Sequence, residues 1–190
     1  EMLRAEGQPL TVSIVHDRPN KTLTIADNSI GMNREDLVAA LRIAHPTPDS
    51  KGRSKYGMGM KTAACWIGPS WRVVTCELGS GEEWTAMVDV AAIANHGAKV
   101  PLTMRPVSRD DHYTRITIDL RRIIQNRSEE TIRSFLGSMY MFDLRPDADG
   151  QVALKLTYNG EEVAPPEESD WDTDPDGNVM KRDLPELLIG

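Results

Sequence analysis

The feature that most constrains the fold is a pair of adjacent strand patterns, the second of which runs directly into a glycine-containing loop. Residues 10–15 (LTVSIV) and 22–26 (TLTIA) alternate along the chain and are rich in β-branched side chains, which predicts two strands. The segment between them, 17–21 (DRPNK), is typical of a turn, so the strands are expected to pair antiparallel. The loop 27–32 (DNSIGM) follows, and a capping asparagine then begins a predicted helix over 34–43.

The rest of the chain mixes strand and helix patterns. Further strands are predicted at 72–77, 83–90, 100–104, 113–120, 152–158 and 161–163, and further helices at 61–67 and 129–141. The Asn159-Gly160 pair between the last two strands is the strongest short hairpin signal. Residues 91–111 carry no clear pattern apart from the strand near 100–104.

Composition excludes several classes of protein. A length of 190 residues suits one domain of ordinary size, and the net charge of −7 does not favour nonspecific binding to nucleic acid. No apolar run approaches the roughly 20 residues that a membrane span needs, so no membrane partner is expected. Two cysteines, Cys65 and Cys76, indicate a reduced compartment, the cytoplasm, rather than a disulfide framework, and both are expected to be buried.

A second glycine-containing loop lies between the first and second predicted helices. Residues 45–56 (HPTPDSKGRSKY) contain Pro, Gly, Ser and Lys without apolar periodicity, which predicts a mobile loop. The sequence Gly57-Met58-Gly59-Met60 then leads into the helix that starts at Lys61. Glycines at a helix N-terminus leave backbone N–H groups free to meet phosphate oxygens. Taken alone, this segment is equally typical of a loop hinge.

The aspartate of the first loop also has two interpretations. A carboxylate at the end of a strand can accept a hydrogen bond from an amino group such as that of adenine. Asp-Asn-Ser is also ordinary turn chemistry, and on its own Asp27 is most simply a turn residue.

Together, in this order, the two loops resemble those of the GHKL ATPases. This superfamily includes the DNA gyrase B subunit, the ninety-kilodalton heat-shock chaperone, sensor histidine kinases, MutL and the MORC proteins. Its Asp-x-Gly-x-Gly motif, often followed by Met, is matched by Asp27, Gly31 and Met32, with Ser29 in place of the first glycine.

The superfamily's later Gly-x-x-Gly-x-Gly motif is matched by Gly57 and Gly59, with Ser54 in place of its first glycine. Lys61 resembles the lysine that follows this motif in MORC-like members. Thr114 resembles the threonine that stands beside the adenine aspartate, with Tyr113 where glycine is usual. The helix at 129–141 and the hairpin that follows make the MORC-like branch the most similar.

The resemblance implies an α/β two-layer sandwich, a mixed β-sheet with helices on one face, known as the Bergerat-type ATP-binding fold. The domain would span residues 1–163, and the acidic, Pro-rich residues 164–190 (APPEESDWDTDPDGN and the end of the chain) would form a connector or the start of a following segment. The implied cofactors are ATP and Mg²⁺. Residues 45–58 would form a lid that closes over bound nucleotide.

The resemblance also implies a role for each matching residue at the adenine end of the site. Asp27 would accept a hydrogen bond from the adenine amino group, and Thr114 would support Asp27 or a water that joins it to the ring. Gly31 would allow close approach of the base, and Met32 would line the pocket. Serine adopts a positive φ less readily than glycine, so Ser29 would cost about 1 kcal/mol or more if the motif needs that conformation there.

At the phosphate end, Gly57 and Gly59 would donate backbone N–H groups to the phosphates, and Lys61 would neutralise their charge. Met58 and Met60 are expected to line the pocket or pack in the core. Ser54 would carry the same cost as the first serine.

The superfamily's first motif, Glu-x-x-x-Asn on the opening helix, has no match here. Its Glu acts as general base and its Asn holds Mg²⁺, whereas Ala5 stands four residues after Glu1. The general base and the metal ligand are therefore expected upstream of Glu1, and no catalytic residue or metal ligand is assigned within the chain.

The expected function is ATP binding, with slow Mg²⁺-dependent hydrolysis in the full-length protein coupled to lid closure and to conformational change or dimerisation as a homodimer. The resemblance adds a MORC-like role in DNA handling or defence. The alternatives are a nucleotide sensor or scaffold that does not hydrolyse ATP, a histidine kinase catalytic domain, and an interaction domain without nucleotide.

Other residues with chemical potential favour simpler interpretations. The four histidines have no metal-ligand spacing and are expected in loops or on the surface; they are His16, His45, His96 and His112. The tryptophans Trp66, Trp71 and Trp84 and the methionines Met139 and Met141 are expected in the core.

Two charged segments also have a simpler interpretation. The basic residues Lys51, Arg53 and Lys55 suit nucleotide phosphates or nucleic acid, or simply a solvated loop. Residues 172–183 imitate a calcium loop but are expected to form a solvated turn, because Pro175 and the Pro-rich entry argue against flanking helices.

Overall fold

The computed structural model describes residues 9–42, 59–96, 99–122, 127–147 and 149–167. Its strands are β1 (Leu10–Asp17), β2 (Thr22–Asp27), β3 (Ser70–Cys76), β4 (Glu82–Asp89), β5 (Leu102–Pro106), β6 (Tyr113–Asp119), β7 (Leu154–Tyr158) and β8 (Glu161–Glu162). Its helices are α1 (Arg34–Leu41), α2 (Gly59–Ile67), α3 (Val90–His96), α4 (Glu129–Met139) and α5 (Met141–Leu144).

The strands form one mixed sheet in the order β5-β4-β3-β6-β2-β1-β7-β8. β1 pairs parallel with β7, and the other pairs are antiparallel. The hairpin between β7 and β8 turns at Asn159 and Gly160, both at positive φ, as the Asn-Gly signal predicts.

One face of the sheet carries the apolar side chains. The register aligns Ile14, Ile25, Ile116, Val73 and Ala86 across five neighbouring strands. Directly paired residues point to the same side of a sheet, and alternate residues of each strand follow them. The expected alternation therefore defines a core face and an opposite, mainly polar face.

All five helices of the described residues pack on the core face, in two clusters. The first buries Leu37 of α1 and Ala64 of α2 against Trp71 and Val73, with Ile93 of α3 packed beside them. The second joins α4 and α5 to β7, and its buried members are Leu144, Leu154, Leu156, Tyr158 and Val163. The predicted α/β sandwich with helices on one face of a mixed sheet is confirmed.

Several predicted element bounds differ from the structure. The first helix ends at Leu41 because Arg42 is extended (φ −69, ψ 134), and the predicted helix over 129–141 is interrupted at Tyr140 (φ −109, ψ 18). α2 begins two residues earlier than predicted, at Gly59. α3 was not predicted; it follows β4 directly, and the Asp89 carboxylate accepts from the backbone N–H of Ala92 in its first turn.

Three side-chain predictions were wrong. Trp66 is 83% exposed, because α2 turns Lys61 and Ala64 inward and leaves the tryptophan outside. Met139 is 58% exposed at the end of α4. His16 is 5% exposed, because β1 extends to Asp17 and the alternation places the imidazole on the core face, where its Nδ1 lies 3.3 Å from the Tyr158 hydroxyl.

Among the described residues no helix is long and apolar enough to cross a membrane. Residues 164–167 run over α4, where the Ala164 carbonyl fills the space that a Cβ on Gly137 would take and the Pro166 carbonyl accepts from Arg145 Nη2 at 3.1 Å. The division of the chain at residue 163 stays a prediction.

Candidate functional site

Three polar side chains stand side by side at one end of the core face. Asp27 is the last residue of β2 and pairs with Thr114 of β6, which in turn pairs with Thr75 of β3. The hydroxyl oxygens of Thr75 and Thr114 lie 3.1 Å apart, and Thr75 is fully buried. Thr114 therefore lies where the sequence placed it, on the strand beside Asp27.

The Asp27 carboxylate is held at one of its two oxygens. Oδ1 accepts from the backbone N–H of Ser29 at 3.0 Å and from the Ser29 hydroxyl. No hydrogen bond within the described residues involves Oδ2 of Asp27. One carboxylate oxygen thus remains able to accept a hydrogen bond from a ligand.

Ser29 does not have the backbone conformation that makes serine costly. Outside glycine, positive φ values occur among the described residues only at Lys21 and Asn159. The condition for the expected penalty, a positive φ at position 29, is therefore not met in this chain. Ser54 lies outside the described residues.

Gly31 has a structural reason to be glycine. Its φ is +74, and a Cβ there would lie 1.8 Å from the carbonyl oxygen of Cys76. The preceding residue accepts a hydrogen bond through its carbonyl from the N–H of Leu78 at 2.8 Å. The loop is therefore pressed backbone to backbone against the end of β3, and close approach of a base to Gly31 stays a prediction.

Thr75 joins the loop to the two strands, and the sequence did not single it out. Its hydroxyl oxygen accepts from the N–H of Met32 at 2.9 Å, and its proton is donated to the carbonyl of Tyr113 at 3.0 Å. The Thr114 hydroxyl is left as the donor across the 3.1 Å contact. The available signal was a threonine in the core-facing row of β3 after Trp71 and Val73.

His112 holds the same loop from the other side. Its Nδ1 lies 2.9 Å from the carbonyl oxygen of Ser29, and since a carbonyl only accepts, Nδ1 carries the proton. His112 lies in a loop, as predicted, and there it links the segment before β6 to the loop after β2.

The second loop reaches the described residues at the start of α2. Gly59 is exposed and begins this nine-residue helix, and a Cβ there would meet no atom of the described residues within 4 Å. Met60 packs against the first core cluster. Gly57 and Met58 lie outside the described residues, as does the whole of the predicted lid, 45–58.

Lys61 is buried, at 8% exposure, and its Nζ donates to the carbonyl of Arg42 at the end of α1. Burial lowers the pKa of this ammonium. The lysine thus ties α2 to the C-terminal end of α1, where a positive charge is favourable. A contact with phosphate stays a prediction.

Tyr113, which replaces the usual glycine before the threonine, points to the opposite face. Its hydroxyl donates to the buried carboxylate of Glu83, which also binds Arg105 through Nη2 at 2.7 Å. Burial raises the pKa of Tyr113 to about 12, and hydrogen bonding to Arg105 lowers the pKa of Glu83. The Tyr113 side chain therefore lies on the face of the sheet opposite the one that carries Asp27 and Thr114.

The opposite face has a depression of about 240 Å³ that reaches Asp27 and Thr114, and its other lining residues are Thr11, Ser13, Ala26, Asn28, Tyr113 and Arg115. Small-molecule pockets usually measure roughly 300–1,000 Å³, so this depression is small for a nucleotide. Nowhere in the described part of the chain do three His, Cys, Asp or Glu side chains gather as a metal site would require.

Comparison with solved structures shows the same fold. The ATPase region of Saccharomyces cerevisiae topoisomerase II is 12% identical with a TM-score of 0.57, and the match covers 81% of this chain and 43% of that one. The ATPase and transducer domains of DNA topoisomerase II from Balamuthia mandrillaris are 16% identical with a TM-score of 0.51, covering 82% and 42%. The chain spans less than half the length of either structure.

No curated protein matches the chain in sequence. The profile of the family described as histidine kinase-, DNA gyrase B- and HSP90-like ATPase matches residues 3–120, which is more than half of the chain. The two loops, the strand with Thr114 and the helices α1, α2 and α3 all lie within that range. The chain therefore belongs to the family of histidine kinase-, DNA gyrase B- and HSP90-like ATPases.

Proposed function

We propose that this chain is the ATP-binding domain of a GHKL-type ATPase and that Asp27 receives the adenine amino group. The supporting observation is Oδ2 of Asp27, which accepts no hydrogen bond from the described residues and lies beside the paired hydroxyls of Thr75 and Thr114. A carboxylate oxygen is an acceptor that matches an amino group and repels the carbonyl of a 6-oxo purine. Met32, partly buried next to this end, would contact the base.

The phosphates are proposed to lie at the N-terminus of α2. Its first N–H groups lack partners within the helix, the partial positive charge of the helix favours an anion there, and Gly59 keeps the approach open. The remaining glycine of the motif, Gly57, would contribute from the adjoining loop.

ATP and Mg²⁺ fit this site unequally. The free carboxylate oxygen and the open helix N-terminus suit a nucleotide, whereas the described residues offer no cluster of metal ligands. A bound Mg²⁺ would neutralise phosphate charge, and its asparagine ligand and the general base are proposed to lie upstream of Glu1. Slow hydrolysis, lid closure, homodimerisation and a MORC-like role in DNA handling or defence are proposals for the full-length protein.

The test is calorimetric titration of the chain with ATP and ADP, with and without Mg²⁺. Asp27→Asn removes the carboxylate, and the control Asp149→Asn makes the same charge change at an exposed turn. A hydrogen bond to a charged group contributes about 1.5–3 kcal/mol, so Asp27→Asn is expected to weaken ATP binding roughly 10- to 100-fold. If neither nucleotide binds at millimolar concentration, or if both variants behave as wild type, the proposal is wrong.

A nucleotide sensor or scaffold remains the second candidate, because no residue of this chain matches the superfamily's Glu-x-x-x-Asn motif. Phosphate release by the full-length protein separates the two functions. ATP binding without release favours the sensor, and transfer of phosphate to a histidine-bearing partner favours the kinase.

A further inference from the structure

Ser29, which stands where the superfamily motif has its first glycine, hydrogen-bonds to the carboxylate on which the proposed adenine recognition depends. Ser29 donates both its backbone N–H and its hydroxyl to Oδ1 of Asp27. A carboxylate oxygen has two lone-pair positions, so these two donors use the full capacity of Oδ1. Oδ2 is then the only oxygen of Asp27 left for a ligand.

Ser29 is itself held in place by contacts to separate parts of the sheet. Its carbonyl accepts from His112 Nδ1 at 2.9 Å. Two other residues of the loop are bound to β3 and the segment after it. The Met32 N–H donates to the Thr75 hydroxyl at 2.9 Å, and the Ile30 carbonyl accepts from the Leu78 N–H at 2.8 Å. Because these contacts hold the backbone around Ser29, its hydroxyl can restrain the Asp27 side chain.

The freedom that the hydroxyl removes is rotation of the carboxylate. The torsion between Cβ and Cγ of aspartate is broad and roughly two-fold, so an unrestrained carboxylate samples many orientations. With glycine at position 29, as in the superfamily motif, the backbone N–H alone would restrain Oδ1. The serine hydroxyl adds a second restraint on the same oxygen.

We infer that Ser29 is a positioning residue that sets the preference of this site for 6-amino purines by orienting Oδ2 of Asp27 toward the base. The inference rests on the proposed function, since it requires adenine beside Asp27. A purine without the 6-amino group gains nothing from the orientation of Oδ2. A 6-oxo purine places its carbonyl oxygen against Oδ2, and because both atoms are acceptors, neither gains a hydrogen bond there.

A structural role for Ser29 predicts a different pattern. If the hydroxyl serves only to stabilise the turn, its loss weakens binding of every nucleotide equally, because each needs the same loop. If the hydroxyl orients the carboxylate, its loss weakens ATP alone.

The experiment compares ATP, inosine triphosphate and purine riboside triphosphate, which has hydrogen in place of the amino group, by calorimetry on the whole chain. Ser29→Ala and Ser29→Gly remove the hydroxyl, and Ser29→Thr retains it. One hydrogen bond contributes about 1 kcal/mol, so both hydroxyl-free variants are expected to bind ATP about fivefold more weakly and purine riboside triphosphate within about twofold of wild type. Ser29→Thr is expected to restore the wild-type ratio.

Equal weakening of the three nucleotides, or an unchanged ratio in both hydroxyl-free variants, overturns the role of Ser29 while leaving ATP binding intact. The Asp27→Asn variant tests the proposed adenine contact itself. If that variant and wild type bind ATP equally, or if wild type does not prefer ATP to purine riboside triphosphate, the adenine contact and the inference both fall. Two hydroxyl-free variants are used so that poor folding of one does not decide the result.

Discussion

Replacing Gly31 by alanine tests the backbone contact that shapes the loop after β2. The substitution has two effects. A positive φ of +74 costs an L-residue with a side chain about 1–2 kcal/mol, and the new Cβ would lie 1.8 Å from the Cys76 carbonyl oxygen and 2.5 Å from its carbon. Relieving such an overlap between two backbones costs about 1–3 kcal/mol. The free energy of unfolding is therefore expected to fall by about 2–5 kcal/mol.

The measurement is urea denaturation, and the matched control is Gly79→Ala. Gly79 also has a positive φ, +84, but a Cβ there would meet nothing within 4 Å. With a urea dependence of about 2 kcal/mol per molar, Gly31→Ala is expected to lower the midpoint by roughly 1–2.5 M, and the control by about half as much or less. Equal shifts for the two variants would refute the argument that contact with β3 requires glycine here.

Three further predictions concern neighbouring groups. Thr75→Val leaves the buried N–H of Met32 without an acceptor and is expected to destabilise the protein by about 1–3 kcal/mol in urea denaturation, whereas Thr75→Ser retains most of the stability. Arg105 holds the pKa of Glu83 below its ordinary 4.5. The stability that this pair contributes is therefore present above pH 4.5 and is lost as the pH falls through the lowered pKa. The stability difference between wild type and Glu83→Gln is expected to shrink on acidification. Gly59→Ala is expected to keep or slightly raise the melting temperature, since the added methyl meets nothing, and to weaken ATP about fivefold while leaving adenosine unchanged if phosphates approach α2.

The parts of the fold predicted from sequence are those decided by local chemistry. The first two strands, the loop with Asp27 and the Asn-Gly hairpin each follow from alternation or turn residues within about ten positions. α3 was missed because it has only seven residues and follows β4 without a loop. The parallel pairing of β1 with β7 joins residues such as Leu10 and Leu154, which no local pattern connects.

The residues of the candidate site likewise include some that the sequence predicted and some that it did not. Asp27 and Thr114 were expected as neighbours because the resemblance supplied their pairing, and the register places them opposite each other. Thr75 and His112 were missed because their contacts with the loop join residues 43 and 83 positions apart in the chain. Whether a polar residue of β3 or β6 faces the site depends on the register of these two strands, and that register is set by tertiary packing.

The central claim is that ATP binds at the core-face end of the sheet, between Asp27 and the start of α2. Amide chemical-shift mapping by NMR during titration with ATP tests it most directly. The account predicts the largest shifts at the amides of Ser29, Met32 and Gly59. Shifts confined to the opposite face, around Ser13 and Arg115, or no shifts at millimolar ATP, would contradict it.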